Sequence, residues 1–200
     1  MKDRIDQRFR ENIARVRNLV DIYSLHLSGS GGGRRGHSKT DVLRAAVVLL
    51  HAATEDLLRS LAYWKLPLAS SEVLSKIPLI TAAPAVKFSL GDLSFHRGKN
   101  VDSVISDSVN GYLERSNYNN TDEVASLLSH IGVPLANVNS QFNQLAEVMA
   151  RRHLIVHRAD RGEKVGKGNH SVQSIGKPQV SKWIDSVEAF GNVLLDQIAD

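Results

Sequence analysis

The sequence predicts an all-α protein, an up-and-down bundle of four to five main helices with an irregular insertion near residues 79–100. Apolar residues recur at steps of three and four near both ends of the chain, which is the pattern of amphipathic helices. Between them, residues 41–66 are apolar around nearly the whole helix circumference, as in a central core helix. Glycine, proline and capping residues separate these segments. We expect the 200 residues to form one domain, 1–200, with a sizeable core.

The first and last helices, 2–27 and 178–198, each carry one apolar stripe. The arginines opposite the first stripe are interleaved with acids, so we favour a solvated face over an RNA-binding one. Pro178 suits the first turn of the last helix. The two stripes consist of Ile5, Phe9, Ile13, Val16, Val20 and Tyr23, and of Val180, Trp183, Ile184, Val187, Phe190, Leu194 and Ile198.

The central helix, 41–66, begins after the capping residues Ser38 and Thr40 and ends before a proline. Four polar residues interrupt its apolar sequence at steps of seven, four and four, and so form one stripe along the helix. Buried polar side chains need partners or water. We therefore favour an internal Glu55–Arg59 ion pair or a solvent-facing seam. The stripe consists of Arg44, His51, Glu55 and Arg59.

In the middle of the chain, the sequence pattern predicts shorter helices at 71–76, 101–113 and 121–131, the last capped by Thr121. A further helix, capped by Asn139 or Ser140, runs to about residue 158. Two glycine-rich basic loops, 28–38 and 159–177, flank the helices. The first loop lacks the lysine and the preceding strand of a phosphate-binding P-loop. Its Arg34 and Arg35 are candidates for flexible contacts with a phosphate backbone.

Composition excludes several classes of function. The chain has no cysteine, which removes disulfides, thiolate metal sites and cysteine nucleophiles. Its charged start and the lack of an 18-residue apolar run predict a soluble, cytoplasmic protein with no membrane segment. A net charge of +4 and a pI near 9.4 suit a polyanionic partner, although the basic excess is mild.

The most distinctive stretch, 151–160, reads Arg-Arg-His-Leu-Ile-Val-His-Arg-Ala-Asp and ends a predicted helix. Cations at a helix C-terminus have a simple explanation, because the last carbonyls and the macrodipole attract positive charge. Three consecutive large apolar residues within the stretch argue against a purely solvated helix end. We therefore treat the stretch as a candidate functional site.

The Arg152-x4-His157 spacing resembles the R-x4-6-H motif of HEPN domains, the higher eukaryote and prokaryote nucleotide-binding family. Arg151 and His157 also fit the spacing, as do Arg44 and His51, which we interpret as a decoy inside an apolar helix. Many HEPN members are metal-independent endoribonucleases. The resemblance implies a homodimer with one composite cleft, no cofactor, RNA as substrate, and a toxin, antiphage or RNA-processing role. A cognate antitoxin or regulatory protein is a further expected partner.

The resemblance and the side-chain chemistry assign His157 as general acid or base, because imidazole exchanges protons at neutral pH. Arg152 is assigned as the phosphate and transition-state contact. His153 and Arg151 are expected helpers, and Glu55 is expected to orient the cluster, as a polar residue of this helix does in some HEPN enzymes. Arg158, with Arg34 and Arg35, is the candidate RNA-binding set.

One geometric difficulty accompanies this assignment. On a continuous helix, Arg152 and His157 lie about 140° apart around the axis. Either two subunits bring them together across a symmetry axis, or the helix ends or distorts between them.

Other functions remain open alternatives. The chain is alternatively a catalytically inactive HEPN module that binds RNA, a nucleotide or a partner protein, or a helical adaptor whose cluster is a capped helix end. Zinc at His153 and His157 is a poor competitor, because Asp160 is the one acid near them. No G-x-S-x-G motif or strand pattern supports a serine hydrolase.

Overall fold

The computed structural model of the chain describes residues 1–29, 37–81, 87–162 and 171–198. Within these ranges the chain is mainly helical, and an isolated antiparallel bridge joins Arg161 and Val172. The all-α prediction is confirmed. No helix in the described ranges is long and apolar enough to cross a bilayer. The helices are α1 (Lys2–Ile22), α2 (His37–Lys65), α3 (Ser71–Leu74), α4 (Leu90–Leu93), α5 (Val101–Arg115), α6 (Thr121–His130), α7 (Asn139–Arg158) and α8 (Lys177–Gln197).

The structure moves two predicted helix starts. Ser38 and Thr40 are already helical within α2, so neither is its N-cap. The Thr40 hydroxyl instead accepts a hydrogen bond from Arg44 Nη1 at 2.7 Å. Helix α7 has Val138 at its N-cap without a side-chain bond, so the predicted cap at Asn139 or Ser140 is wrong. Serine, threonine and asparagine occur both at the N-cap and within the first turn of a helix, so the sequence alone does not locate the helix start to within one or two residues.

The irregular insertion contains short helices that periodicity does not detect. Ser89 and Asp92 form a capping box at the start of α4, which continues into a 3-10 turn, Ser94–His96. Asn100 then caps α5, accepting from the backbone N–H of Ser103 at 2.7 Å. Such one-turn helices depend on their caps, because they are too short to show a repeating apolar stripe.

The described chain divides into two compact units. The larger comprises 2–57 and 136–200, and the smaller comprises 58–135 with Met1. The expectation of a single domain stays a prediction. Helix α8 packs against both α1 and α7 in the larger unit. At Gly191 a Cβ would overlap the buried ring of Phe9 and lie 3.1 Å from Leu57 Cδ2, so glycine is what allows this close approach.

In the smaller unit the stripe residue Arg59 does not form the ion pair with Glu55 that we favoured. Its guanidinium donates to the backbone carbonyls of Leu113 and Ser116, beside the end of α5. A helix C-terminus leaves carbonyls without intrahelical partners, and a cation satisfies them well. The Glu55 carboxylate is therefore left for another partner, which lies in the larger unit.

Candidate functional site

Helix α7 is unbroken from Asn139 to Arg158 and ends in an abrupt turn. Ala159 and Asp160 both adopt left-handed backbone conformations, with φ of 48° and 60°. The amide of Asp160 donates back to the carbonyl of Leu154 at 2.9 Å. Left-handed conformations cost non-glycine residues on the order of 1 kcal/mol each, so surrounding contacts must hold them.

Those contacts form a buried ion cluster around Asp160. The Asp160 carboxylate is 0% exposed, and its Oδ2 lies 2.7 Å from Arg44 Nε and 2.8 Å from Arg151 Nη2. The Arg44 and Arg151 side chains are themselves 9% and 10% exposed. One carboxylate between two guanidinium groups compensates charges that would be costly to bury alone.

Gln173 completes the ion cluster from the segment before α8. Its backbone carbonyl accepts from Arg44 Nη2 at 2.8 Å and from Arg151 Nη2 at 3.2 Å. Its side-chain oxygen accepts from Arg151 Nη1 at 2.9 Å, and its backbone N–H donates to the backbone carbonyl of Asp160 at 2.8 Å. The cluster thus joins α2, the end of α7 and the chain leading into α8. Arg151 anchors this junction, and its predicted role as a helper at a phosphate stays a prediction.

Glu55 is adjacent to His51, one turn earlier on α2. Its Oε2 lies 3.7 Å from His51 Nδ1, and the His51 side chain is 3% exposed. Burial lowers the pKa of His51 below its ordinary value near 6.5, Glu55 opposes that shift, and the positive charge of Arg152 adds to it. Sequence reasoning dismissed His51 as part of a decoy, yet this buried histidine lies beside Glu55, the residue expected to orient the motif.

His153 and His157 occupy an exposed face of the same helix. Their ring centroids are 4.7 Å apart with the rings tilted by 44°, as expected for residues one turn apart. Both side chains are exposed, whereas Arg152 is half-buried. Because α7 continues through both positions, the alternative that the helix ends or distorts between Arg152 and His157 is wrong. In a single chain the two motif residues therefore point about 140° apart.

The candidate RNA-binding arginines are only partly within the described residues. Arg158 is exposed in the last turn of α7. Arg34 and Arg35 lie outside the described residues. In the described ranges, no group of three or more histidine, aspartate or glutamate side chains is placed to hold a metal ion.

An apolar groove of about 680 Å³ runs beside the ion cluster, between α2 and the end of α7. Its floor combines an alanine-rich face of α2 with apolar side chains near the motif, and Val156 of the motif itself is 49% exposed. The sequence carries a signal for this face, because Ala45, Leu49 and Ala52 recur at steps of four and three and so lie on one side of α2. We expected that side to be buried, like the rest of the helix. The groove is lined by Asp41, Arg44, Ala45, Val48, Leu49, Ala52, Ile155, Ala159, Arg161 and Val172.

Comparison with known proteins finds a matching family. The family model described as RiboL-PSP-HEPN matches residues 10–200, which is nearly the whole chain and includes α7 with its motif. Neither the curated proteins nor the solved structures include a significant match.

Proposed function

The chain belongs to the RiboL-PSP-HEPN family of HEPN domains, and from that membership we propose that it is a metal-independent endoribonuclease. HEPN domains generally include ribonuclease-like members. The observation that carries the proposal is that one continuous helix, α7, presents an exposed imidazole, His157, and the half-buried Arg152 at the motif spacing.

The proposed reaction needs no metal. The RNA 2'-oxygen forms a bond to the adjacent phosphorus and loses its proton, while the bond from phosphorus to the 5'-oxygen breaks and that oxygen gains a proton. The products carry a 2',3'-cyclic phosphate and a 5'-hydroxyl. His157 transfers a proton at the attacking or leaving oxygen. The Arg152 guanidinium stabilises the charge that accumulates on the phosphorane.

Supporting roles follow from the same geometry. Glu55 lies 3.7 Å from His51, whose pKa is lowered by burial and by the charge of Arg152, and we assign Glu55 the role of orienting the motif cluster. His153 packs against the His157 ring and restricts its orientation. Arg151 acts through Asp160 by fixing the end of the helix that carries the motif. We assign Arg158, Arg34 and Arg35 to the RNA backbone, for which the net charge of +4 is favourable.

The separation of Arg152 and His157 around one helix calls for a second copy of the chain. In an isologous dimer, Arg152 of one subunit lies beside His157 of the other, and each phosphate meets both groups. We assign the dimer interface to the apolar groove between α2 and α7, because Ile155 and Ala159 at the end of the motif helix line it. A monomer would expose that apolar surface and keep its two motif residues apart.

The catalytic assignment is tested with end-labelled RNA and purified protein in EDTA. The wild type should produce 2',3'-cyclic phosphate ends. His157→Ala and Arg152→Ala should each lower the cleavage rate by at least about a hundredfold, the typical contribution of one proton-transfer or charge-stabilising group. His26→Ala, which removes an exposed histidine of the π-helical turn after α1, is the matched control and should cleave as the wild type does.

Cleavage at the wild-type rate by His157→Ala would contradict the assignment. RNA binding without cleavage by any variant, the wild type included, would instead identify an inactive HEPN module. Growth arrest on expression, relieved by His157→Ala, is the expected sign of a toxin or antiphage effector.

The dimer is tested by Ala52→Glu. Ala52 is exposed and lines the groove, so a carboxylate there should leave the subunit folded but prevent the two apolar faces from meeting. Light scattering should show a dimer for the wild type and a monomer for the variant, and the variant should lose cleavage. Ala14→Glu, on the exposed face of α1, is the control. A variant that is monomeric yet cleaves as the wild type does would refute the composite site.

A further inference from the structure

The smaller unit contains an apolar cavity that the proposed nuclease chemistry does not use. Its volume is about 400 Å³, and it lies between α5 and the chain that precedes this helix. Small-molecule sites are typically concave, largely apolar and about 300–1,000 Å³ in volume. The cavity has that size and character. Its apolar walls include Ile77, Leu79, Leu93, Val104, Ile105 and Val109.

One polar side chain in the cavity wall has unused hydrogen-bonding capacity. His96 is 9% exposed, and both of its ring nitrogens are buried without a hydrogen-bond partner among the described residues. The other polar side chains of the wall are occupied. The Ser75 and Ser108 hydroxyls donate to backbone carbonyls at 2.8 and 2.7 Å, and Lys99 Nζ lies 2.6 Å from Asp107. An unpaired buried imidazole is costly, so a ligand that meets it gains a favourable contact.

The charges around the cavity indicate which polar group the ligand carries. An imidazole has at least one N–H donor in every protonation state, so it serves an acceptor under all conditions. Among the described residues the cavity wall has no acidic side chain, and its basic residues are His96 and Lys99, which is already paired with Asp107. A carboxylate accepts on both oxygens, and an ionised acceptor makes a stronger hydrogen bond than a neutral one.

We propose that this cavity binds a small amphipathic monocarboxylate. Its apolar body lies against Val104 and Ile105, and its carboxylate accepts a hydrogen bond from His96. The exposed side chains of Phe88 and Val101 line the same cavity, so its mouth is itself apolar. The proposal is independent of the nuclease assignment, because its residues belong to the smaller unit and the motif residues to the larger.

Decanoate is the probe for calorimetric titration of the full-length protein. One decanoate should bind per chain and saturate. Decanol and decylammonium, with the same body and a neutral or cationic head, should bind at least about tenfold more weakly, because each lacks a charge-assisted acceptor for the imidazole. Ile105→Trp should fill the cavity and abolish binding. His26→Leu, far from the cavity in sequence and exposed, should bind decanoate as the wild type does.

The head-group contact is tested by His96→Leu, which removes an unpaired buried polar group and so should not impair folding. This variant should bind decanoate no more tightly than decanol. Methyl NMR of the wild-type protein gives a readout that needs no variant, and decanoate should shift the Val104 and Ile105 methyl signals. The proposal is overturned if decanoate does not saturate, if decylammonium binds as tightly, if His96→Leu retains the preference for carboxylate, or if the shifted methyl groups lie elsewhere.

Discussion

Asp160→Asn provides the sharpest test of the ion cluster that ends α7. The substitution keeps the shape of the side chain and removes its charge, and asparagine tolerates the left-handed backbone at this position, where φ is 60°. It leaves the guanidinium groups of Arg44 and Arg151, 9% and 10% exposed, without a buried counter-charge. Removing one partner from a buried ion pair typically costs about 3–5 kcal/mol.

Other hydrogen-bond acceptors around the two arginines offset part of this loss of stability, but none of them supplies a negative charge. The Gln173 backbone carbonyl still accepts from both arginines, and Thr40 Oγ1 still accepts from Arg44 at 2.7 Å. We therefore expect Asp160→Asn to lower the free energy of unfolding by about 3 kcal/mol, the lower end of that range. This is a large fraction of the roughly 5–15 kcal/mol that stabilises a typical domain.

Urea unfolding in a Trp64→Phe background, where the buried Trp183 of the same unit is the remaining tryptophan, measures the effect by fluorescence. Asp41→Asn is the matched control, because Asp41 also pairs with Arg44, at 3.2 Å, but its side chain is 66% exposed. An exposed pair contributes at most about 1 kcal/mol. Equal losses for Asp160→Asn and Asp41→Asn, or a loss below about 1 kcal/mol for Asp160→Asn, would refute the reasoning.

Two further predictions concern the core and the buried histidine. Gly191→Ala should lower the free energy of unfolding by about 1–3 kcal/mol, because the new Cβ overlaps the Phe9 ring. Thermal melting measures the loss. Gly162→Ala is the control and should show no such loss, because no heavy atom of the described residues beyond its chain neighbours lies within 4 Å of the added Cβ. The pKa of His51 is lowered in the folded protein. As the pH falls below about 6.5, His51 is therefore protonated in the unfolded chain before it is protonated in the folded protein, and the free energy of unfolding of the wild type should decline over this pH range. His51→Gln should flatten this part of the pH dependence in urea titrations between pH 7.5 and pH 5, and an unchanged slope would contradict the assigned shift.

The helices were predictable because their signals are local. The apolar stripe of α1, Pro178 in the first turn of α8 and the decapeptide at the end of α7 each depend on residues within a few turns of one another. The same reasoning placed Arg152 and His157 on one helix and identified their angular separation. It misplaced the starts of α2 and α7, where several capping residues follow one another.

The partners of the buried charges were decided by tertiary structure. Arg44 and Asp160 are 116 positions apart, and no periodic pattern links them. The sequence predicted a Glu55–Arg59 pair because i, i+4 charges are neighbours on a helix, yet Glu55 lies beside His51 and Arg59 donates to backbone carbonyls.

The sequence by itself thus determined the all-α class, the main helices and the family motif, since periodicity, capping and spacing act over short distances along the chain. Only the tertiary structure decided that Arg44 and Arg151 share Asp160, that His51 lies within the electrostatic influence of Arg152, and that His96 lines an apolar cavity with both nitrogens unpaired. The physical reason is that a buried polar group takes the partner that packing brings within reach, and packing depends on every helix at once.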